Sequence, residues 1–572
     1  MKFRARKKRF FAAGSVLVAA LLILFEMSWA KSNGTAPNEE SLRVFFSRES
    51  GFYEDEFELE LEAKAGTIYY TLDGSLPDKS SAKYENPILI TDATQKDNIY
   101  SMIRDVSVGL DKELVDKVST LEPGPGYEVP NYKIDKATVV RAALYDGAGQ
   151  CRDIKTATYF VGFSDKDGYD GMNILSLVTD PSNLFDYETG IYVTGKAYDD
   201  YKREYRDKGI YIFRESYWSQ WLANYKNRGI KWERKAVCQF FDSSGQPVLA
   251  QECGIRIHGV STRAYNPKSL NLYARKEYDG NKYFEADFFG TGYLPSTLTL
   301  FQGGNDLRMK VKDYLISSVI QDLEVSAMNY QPYVMFLNGE YWGVYWLCEK
   351  YDARYLEYYY GVDKDNVIMI KGGELAEGEE EDFKYYRKMV DFCSESDLTK
   401  DENYNKVCQM IDMESYIDYF AAMLYTAREG DWPFPNYACW RVKKEEDGAY
   451  GDGKWRWMVF DLNSEGFNPN LDTIDLAMGA DGMFRNLMTN ATFRRQLIHR
   501  IEELEETVFE VGAMEERVDG YREFISEAMR ENDRRFYNDD SLAVFDAEIE
   551  EFRSFFYKRK EYLASILNSY ID

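Results

Sequence analysis

Apolar and polar residues alternate with a period of two at several separate places along the chain, which is typical of half-buried β-strands. The first is the stretch Phe57–Leu61, where glutamates occupy the intervening positions, and an Asp73-Gly74 turn follows the next strand. Short strands separated by Gly, Pro and Asp turns predict a small β-sandwich over residues 42–162, interrupted by a charged insertion near 95–133. A polar linker over residues 31–41 precedes the sandwich.

The second region of the chain mixes the strand and helix periodicities. A buried-strand run, Ile174–Val178, opens it, and Tyr333–Leu347 is typical of a β-hairpin around an Asn338-Gly339 turn. Apolar residues recur at helical spacing in three stretches: Leu307–Leu323, Met413–Thr426 and Phe484–Ile525. We therefore predict an α+β fold in which the sandwich precedes one mixed domain over residues 172–572, with a helical C-terminal part.

The N-terminus carries a targeting pattern. Six basic residues lie between Lys2 and Arg9, an apolar run covers Phe10–Phe25, and small residues follow at Ser28 and Ala30. The run is short for a membrane-spanning helix and suits a secretory signal. We expect residues 1–30 to be a cleaved signal peptide or a retained signal anchor. Either alternative places the rest of the chain outside the cytoplasm, secreted or at the cell surface, and the second attaches it to a membrane.

Composition removes several classes of function. A formal net charge of −27 repels nucleic-acid phosphate, so we exclude non-specific DNA or RNA binding as the main activity. The chain has only two histidines, His258 and His499, and seven scattered cysteines without a C-x-x-C pair. Histidine metal sites, Ser-His-Asp triads and zinc-binding cysteine sets are therefore excluded in practice, and neither is a disulfide framework encoded. Carboxylates, lysine and arginine therefore remain as the candidate functional groups.

The stretch 431–466 holds the best candidate set. Asp431 and Asn436 stand five residues apart, and Asp461 follows the apolar strand Trp455–Phe460. Phosphoryl transfer with a divalent metal needs a carboxylate that accepts or orients the proton of the nucleophile, and oxygen ligands for the metal. Protein kinases use this D-x-x-x-x-N interval and a later aspartate, so the spacing suggests kinase chemistry, although Asp and Asn are also common turn residues.

Two further charged residues leave alternatives open. On a strand of period two, Lys268 shares a face with Leu270 and Leu272. It either contacts phosphate, as the third-strand lysine of protein kinases does, or is a strand-edge lysine whose amine reaches water. Glu349 closes the predicted hairpin and faces either the site or the solvent.

Four blocks of sequence carry a resemblance. The first is Gly254-x-Arg256-x-x-Gly259-x-Ser261-x-Arg263 with Lys268-Ser269, and the others lie within 337–349, 431–436 and 455–463. In this order they resemble the CotH kinase family, the spore-coat protein H type of atypical kinases. The resemblance implies an atypical protein-kinase-like fold that transfers the γ-phosphoryl group of ATP to Ser or Thr of a protein, with Mg²⁺ or Mn²⁺.

The resemblance also implies roles for single residues. Asp431 would be the catalytic base, Asn436 and Asp461 the metal ligands, and Lys268 the phosphate contact. Asn463 occupies the second acidic place of the last block, where the family pattern has Asp, and is included among the metal candidates. We also assign Asn436 and Glu349 to the cofactor-binding set. The ion-pair partner of the lysine stays open among three acids: Glu324, Glu349 and Asp313. No G-x-G-x-x-G phosphate loop is present, and Gly303-Gly304 is too short to replace it.

The β-sandwich carries a second resemblance. Ile68–Pro77, followed by Ser81, Tyr84 and Pro87-Ile88, resembles the C-terminal β-sandwich module of chitobiase and β-hexosaminidase type proteins. The resemblance implies a non-catalytic spacer or a module that contacts polysaccharide.

Three functions follow as hypotheses. The first is an exported kinase whose partner is a protein rich in Ser and Thr. The alternative is a surface protein with a weak or inactive kinase fold, acting as a glycan-, coat- or wall-binding scaffold. Glycoside hydrolysis by paired carboxylates has no constellation of residues that we can place.

Overall fold

The computed structural model describes residues 42–108, 127–164, 166–207, 218–463 and 466–571. The predicted signal segment 1–30 and the linker 31–41 lie outside the described residues. A β-rich first part is followed by a mixed and then helical part, which confirms the predicted α+β class. Within the described ranges, no helix is both long enough and apolar enough to cross a membrane.

The first part consists of short strands. They are β1 (Phe45–Phe46), β2 (Gly51–Tyr53), β3 (Phe57–Leu59), β4 (Leu61–Glu62), β5 (Thr67–Thr71), β6 (Ala82–Lys83), β7 (Ile88–Ile90), β8 (Thr138–Tyr145) and β9 (Cys151–Val161). The main sheet has the order β2-β9-β8-β5-β6, and β1-β4 and β3-β7 form two small sheets. The alternation buries Leu59 and Leu61 in the sandwich core, while Glu58 and Glu60 remain exposed.

The second part opens with a closed barrel of order β10-β11-β12-β13-β14-β17-β16. Its strands are β10 (Asn173–Val178), β11 (Arg234–Phe241), β12 (Pro247–Ile257), β13 (Leu270–Tyr273), β14 (Thr297–Phe301), β16 (Tyr330–Leu337) and β17 (Glu340–Cys348). The β16–β17 hairpin confirms the Asn-Gly prediction, because Asn338 (φ 49°) and Gly339 (φ 89°) both adopt the left-handed conformation that a tight hairpin turn requires.

The second part also contains a five-stranded sheet of order β15-β21-β20-β18-β19. Its strands are β15 (Ser326–Ala327), β18 (Val367–Lys371), β19 (Glu374–Glu377), β20 (Ala438–Val442) and β21 (Arg456–Val459). The helices are α1 (Pro181–Phe185), α2 (Gly195–Asp207), α3 (Lys276–Asp279), α4 (Lys312–Val319), α5 (Ala353–Tyr360), α6 (Phe383–Glu395), α7 (Asp401–Met410), α8 (Met413–Tyr425), α9 (Thr473–Ala480), α10 (Gly482–Leu487), α11 (Ala491–Glu506), α12 (Val511–Tyr537) and α13 (Ala543–Asn568).

Two of these helices position the site. Helix α8 begins after Asp412, whose side chain accepts from Ser415 N, and its residues are buried from Ser415 to the end; it confirms the helix predicted over 413–426. Helix α4 is shorter than the helix predicted over 307–323. The buried carboxylate of Asp306 accepts from Val311 N (2.7 Å) and Lys312 N (2.9 Å), and this closed turn holds the residues before Lys312 out of the helix.

The β-sandwich packs directly on the barrel. Phe160 of β9 stacks on Phe52 and makes an edge contact with Phe336 of β16, with ring centroids 5.1 Å apart. Glu340, at the start of β17, is buried and accepts hydrogen bonds from Tyr100 N (3.2 Å) and Ser101 N (2.8 Å) of the insertion. A buried carboxylate held by backbone N–H groups ties the two parts together.

Candidate active site

Asp431 and Asn436 lie in the connection between α8 and β20. Asn436 Nδ2 donates to Asp431 Oδ2 at 2.7 Å, and Asn436 N donates to Asp431 O at 3.0 Å. The five-residue interval therefore closes into one turn in which the amide orients the carboxylate. Asp431 is partly exposed.

Asp461 and Asn463 follow the buried strand β21. Asp461 has φ 61°, a sparsely populated conformation for a residue with a side chain, and such strain is commonly found at functional sites. Asn463 Nδ2 donates to Asp461 Oδ1 at 2.7 Å, and Asn463 Oδ1 accepts from Asn305 N at 2.8 Å. Asn463 is therefore fixed on both sides, and its amide holds the Asp461 carboxylate.

A third aspartate belongs to the same cluster. Asp313, in the first turn of α4, is buried and accepts from Leu462 N and from Asn463 Nδ2, each at 2.8 Å. One amide group therefore lies between the carboxylates of Asp313 and Asp461. A carboxylate at position 463 would bring three like charges together, so the structure supplies a physical reason for the amide found there.

Arg428 connects the loop that carries Asp431 and Asn436 with the loop that carries Asp461 and Asn463. Its guanidinium donates to Leu462 O and to Asp461 O, each at 3.0 Å, and lies 3.5 Å from Asp431 Oδ1. Arg428 is buried, and its planar group can hold several oxygens in fixed positions. It sets the spacing between the catalytic candidate Asp431 and the backbone of Asp461.

Burial and mutual repulsion raise the pKa values of the acids. Burial, followed by the charge of Asp461, raises the pKa of Asp313 to about 7. Burial, followed by the charge of Asp431, raises the pKa of Asp461. Negative charge is thus concentrated at this point, an arrangement that a divalent cation would stabilise.

Basic residues lie next to the acids, at the end of β18 and in the segment after β17. The ammonium of Lys371 lies 4.0 Å from the Phe460 ring centroid; burial lowers its pKa, and the nearby Asp461 opposes this effect. Burial, followed by the charges of Lys371, Arg263 and Lys350, lowers the pKa of His258, which follows β12, to about 3. Asp461 therefore lies near the positive charge of Lys371, and three cations lie near His258.

Lys268 is not part of this group, which corrects its predicted role. It precedes β13, is fully buried, and donates to Arg263 O (2.9 Å) and Tyr265 O (3.3 Å), with Tyr225 beneath the ammonium. Burial, followed by the charge of Lys226, lowers its pKa well below the usual value. It neither contacts the aspartates nor reaches water as a strand-edge lysine would.

For Glu349, the structure excludes one of the two alternatives. It is buried, and Oε2 accepts from Asn329 N (2.9 Å) and Nδ2 (3.0 Å) while Oε1 accepts from the Tyr359 hydroxyl. The solvent-facing interpretation is therefore wrong, and the carboxylate instead supports the segment that follows β17. Within the described chain, none of the three candidate acids forms an ion pair with Lys268.

The Gly303-Gly304 pair, too short to predict a phosphate loop, lies against the site. A Cβ at Gly304 (φ 63°) would lie 2.1 Å from Asn463 Oδ1, so only glycine allows this approach. Asn305 N then reaches Asn463 at 2.8 Å. The glycine pair therefore packs against the loop that carries Asp461 and Asn463, and it does not form a separate phosphate-binding loop.

The donor set fits a divalent metal only if amide oxygens contribute. In the described part of the chain, no group of three or more His, Cys, Asp or Glu side chains is arranged to hold a metal ion. Asp461 supplies a carboxylate that is not paired with a lysine or arginine side chain in the described contacts. Since Asn436 Nδ2 is committed to Asp431, its Oδ1 is the atom available to a metal. A carboxylate and an amide oxygen with water are typical of magnesium sites.

Comparison with protein families agrees with this geometry. The sequence model described as CotH kinase protein matches residues 255–563. The chain belongs to the CotH kinase protein family. A second model, described as Fn3 associated, matches residues 57–159 and confirms a β module ahead of the CotH region. No curated protein matches the chain.

In this CotH kinase protein, the structure brings together Asp431, Asn436, Asp461 and Asn463 as one group. Sequence reasoning did not assign the connecting Arg428 or the cation Lys371. The interval Arg428-x-x-Asp431 could have indicated the first, because it places an arginine three residues before the candidate base. The position of Lys371 before two glycines gave no comparable signal.

Proposed function

We propose that this CotH kinase protein transfers the γ-phosphoryl group of ATP to a Ser or Thr hydroxyl of a protein, with Mg²⁺ or Mn²⁺. The observation that supports it best is the convergence of Asp431, Asn436 and Asp461 beside the cation Lys371. A base, oxygen ligands and a phosphate-facing cation are the parts that phosphoryl transfer requires.

Asp431 accepts the proton of the acceptor hydroxyl in this proposal. The hydroxyl oxygen forms a bond to the γ-phosphorus, the bond from that phosphorus to the β,γ-bridging oxygen breaks, and ADP leaves. Asn436 keeps the Asp431 carboxylate in one orientation through the 2.7 Å hydrogen bond. A carboxylate already held in place needs little rearrangement when the hydroxyl arrives.

Asp461 and Asn436 Oδ1 would hold the metal, which would supply positive charge to neutralise the nucleotide phosphates. Asn463 and Asp313 position Asp461, and Arg428 fixes the distance between the two loops. We assign the phosphate contact to Lys371, with Lys350 beside it, in place of Lys268, because Lys371 lies near Asp461 and Lys350 lies near both Lys371 and His258. His258 remains neutral among them.

We also propose that the protein acts outside the cytoplasm, on an acceptor rich in Ser and Thr. The basic and apolar pattern of residues 1–30 supports export, with or without membrane anchoring. The β-sandwich is the surface that we propose for contact with polysaccharide.

The test uses the full chain with ATP, Mg²⁺ or Mn²⁺ and a Ser/Thr-rich protein. Asp431→Asn should lower phosphate incorporation by about 10²–10⁴-fold, the usual contribution of a general base, while ATP-dependent thermal stabilisation persists. Asp461→Asn should abolish both the incorporation and the metal-dependent part of the stabilisation. Asp447→Asn, the same change in the exposed β20–β21 connection, is the matched control.

A wild-type chain that neither binds nucleotide nor labels any Ser/Thr-rich protein contradicts the kinase proposal. Binding to polysaccharide without any nucleotide effect would favour the scaffold alternative.

A further inference from the structure

A cavity of about 330 Å³ opens beside the Asp431–Asn436 loop, on the side of α6, α8 and α9. The residues that line it are mostly aromatic or aliphatic: Gly373, Tyr386, Val390, Tyr419, Phe420, Pro433, Phe434, Tyr437, Trp457, Ala480, Asp481, Gly482 and Met483. Pro433 and Phe434 belong to the Asp431–Asn436 loop, and Phe434 is 60% exposed at the rim of the cavity. The cavity therefore lies where an acceptor polypeptide would pass.

The walls of the cavity consist mainly of the surfaces of aromatic rings, and their hydroxyl groups are engaged in hydrogen bonds. The hydroxyls of Tyr386 and Tyr437 bond to each other, and the Tyr419 hydroxyl accepts from Trp432 Nε1 at 3.1 Å. Because these hydroxyls are engaged, the cavity offers few polar partners to a sugar. Stacked or edge-on rings instead suit an apolar or cationic group.

Asp481 carries the sole carboxyl group among the residues that line the cavity, and no Lys, Arg or His is among them. Its Oδ1 accepts from Met483 N (2.8 Å) and Phe484 N (3.3 Å), and no hydrogen bond to Oδ2 or ion pair of Asp481 is found among the described residues. Burial raises the pKa of Asp481, and the hydrogen bonds from Phe484 N and Met483 N and the nearby, exposed Arg485 oppose this effect. A carboxylate in an aromatic cavity lacks a partner on one oxygen.

The Asp481 carboxylate indicates which kind of side chain would occupy the cavity. An uncharged side chain would cover the Asp481 carboxylate without pairing it, which is unfavourable, whereas a cation would pair with it and lie against the rings. The net charge of −27 also attracts basic polypeptides.

We propose that this cavity takes the positively charged side chain of a residue close to the phosphate-accepting Ser or Thr in the acceptor polypeptide. The inference rests on the proposed kinase function. Asp481 is a specificity-determining residue in this proposal, and Phe434 and Trp457 form part of the surrounding aromatic surface.

Binding is measured without catalysis, on the full chain carrying Asp461→Ala. The probes are Ser-centred alanine peptides in which one flanking position at a time carries Lys, its uncharged isostere norleucine, or Phe. At the best position, we expect the Lys peptide to bind at least about tenfold more tightly than the norleucine peptide, as an ion pair within aromatic rings allows. Isothermal titration calorimetry measures the affinity.

Asp481→Asn should bring the Lys-to-norleucine ratio close to one, while retaining the hydrogen bonds to Met483 N and Phe484 N, because Asn also caps helices. Asp475→Asn, at an exposed position in α9, should leave the ratio unchanged. In the active chain, Asp481→Asn should raise KM for the Lys peptide and leave kcat almost unchanged.

Equal binding of all three peptides, tighter binding of the Phe peptide, absence of any peptide binding, or a ratio unaffected by Asp481→Asn would overturn the proposal. Selective Lys binding without phosphate transfer by the active chain would instead refute the kinase function and leave the cavity assignment standing.

Discussion

Replacing Asn463 with aspartate tests the electrostatics of the site most directly. The amide is 3% exposed and donates to Asp461 Oδ1 at 2.7 Å and Asp313 Oδ2 at 2.8 Å. Asn463→Asp keeps the size of the side chain, removes both donors and places a third carboxylate in the cluster. The change therefore isolates charge from shape.

The expected loss of stability follows from the distances between the carboxylates. Two unit charges about 4 Å apart repel by roughly 4 kcal/mol at an effective dielectric constant of about 20. Protonation of one acid relieves this repulsion, and holding a carboxyl protonated costs about 1.4 kcal/mol for each pH unit above its pKa. We expect the free energy of unfolding to fall by about 3–5 kcal/mol near pH 8 and by about 1–2 kcal/mol near pH 5.5, where the proton is easily held.

Urea unfolding in EDTA at both pH values measures this difference. Asn470→Asp, an exposed change of the same charge seven residues later, is the control and should have almost no effect. Adding Mg²⁺ and ATP should restore more stability to Asn463→Asp than to the wild type, because the cluster then holds one more anionic ligand. If Asn463→Asp and Asn470→Asp unfold at the same urea concentration near pH 8 in EDTA, the bridging role assigned to the amide is wrong.

Four further outcomes are expected. Lys371→Met should raise KM for ATP about tenfold or more and retain the stability of the protein. Lys268→Met should instead change the stability and leave KM for ATP almost unchanged. Steady-state kinetics measures KM, and thermal unfolding measures the stability of each variant. Arg428→Lys should lower kcat by up to about 10²-fold with little change in KM, because a lysine cannot hold both loops, and single-turnover kinetics checks this. The depressed pKa of His258 contributes stability that is present above about pH 6.5 and lost as the pH falls towards 3; the wild type should lose about 2 kcal/mol between pH 7 and 5 that His258→Gln does not lose, measured by urea unfolding. Phe160→Ala should cost about 3–5 kcal/mol, and calorimetry should show that it shifts one transition shared by sandwich and barrel; a separate sandwich transition would contradict the packing described above.

Local patterns in the sequence were sufficient for much of the fold. The Asn338-Gly339 turn, the buried helix α8 and the alternation around Leu59 each depend on residues close together in the chain, and each was predicted. The pairing of Asp431 with Asn436 is local in the same sense, since five residues close one turn.

Contacts between distant residues were decided only by the tertiary structure. Asp313 and Asn463 stand 150 positions apart, and no periodicity shows that an amide will lie between two carboxylates. Lys268 and Lys371 look alike as single lysines near strands, yet the barrel buries the first against Tyr225, while the end of β18 brings the second to Asp461. The sequence by itself determined Asp431, Asn436 and Asp461 as candidates, and the family. Folding determined which charges meet them, because burial and electrostatic attraction depend on the surroundings of a side chain and not on its place in the chain.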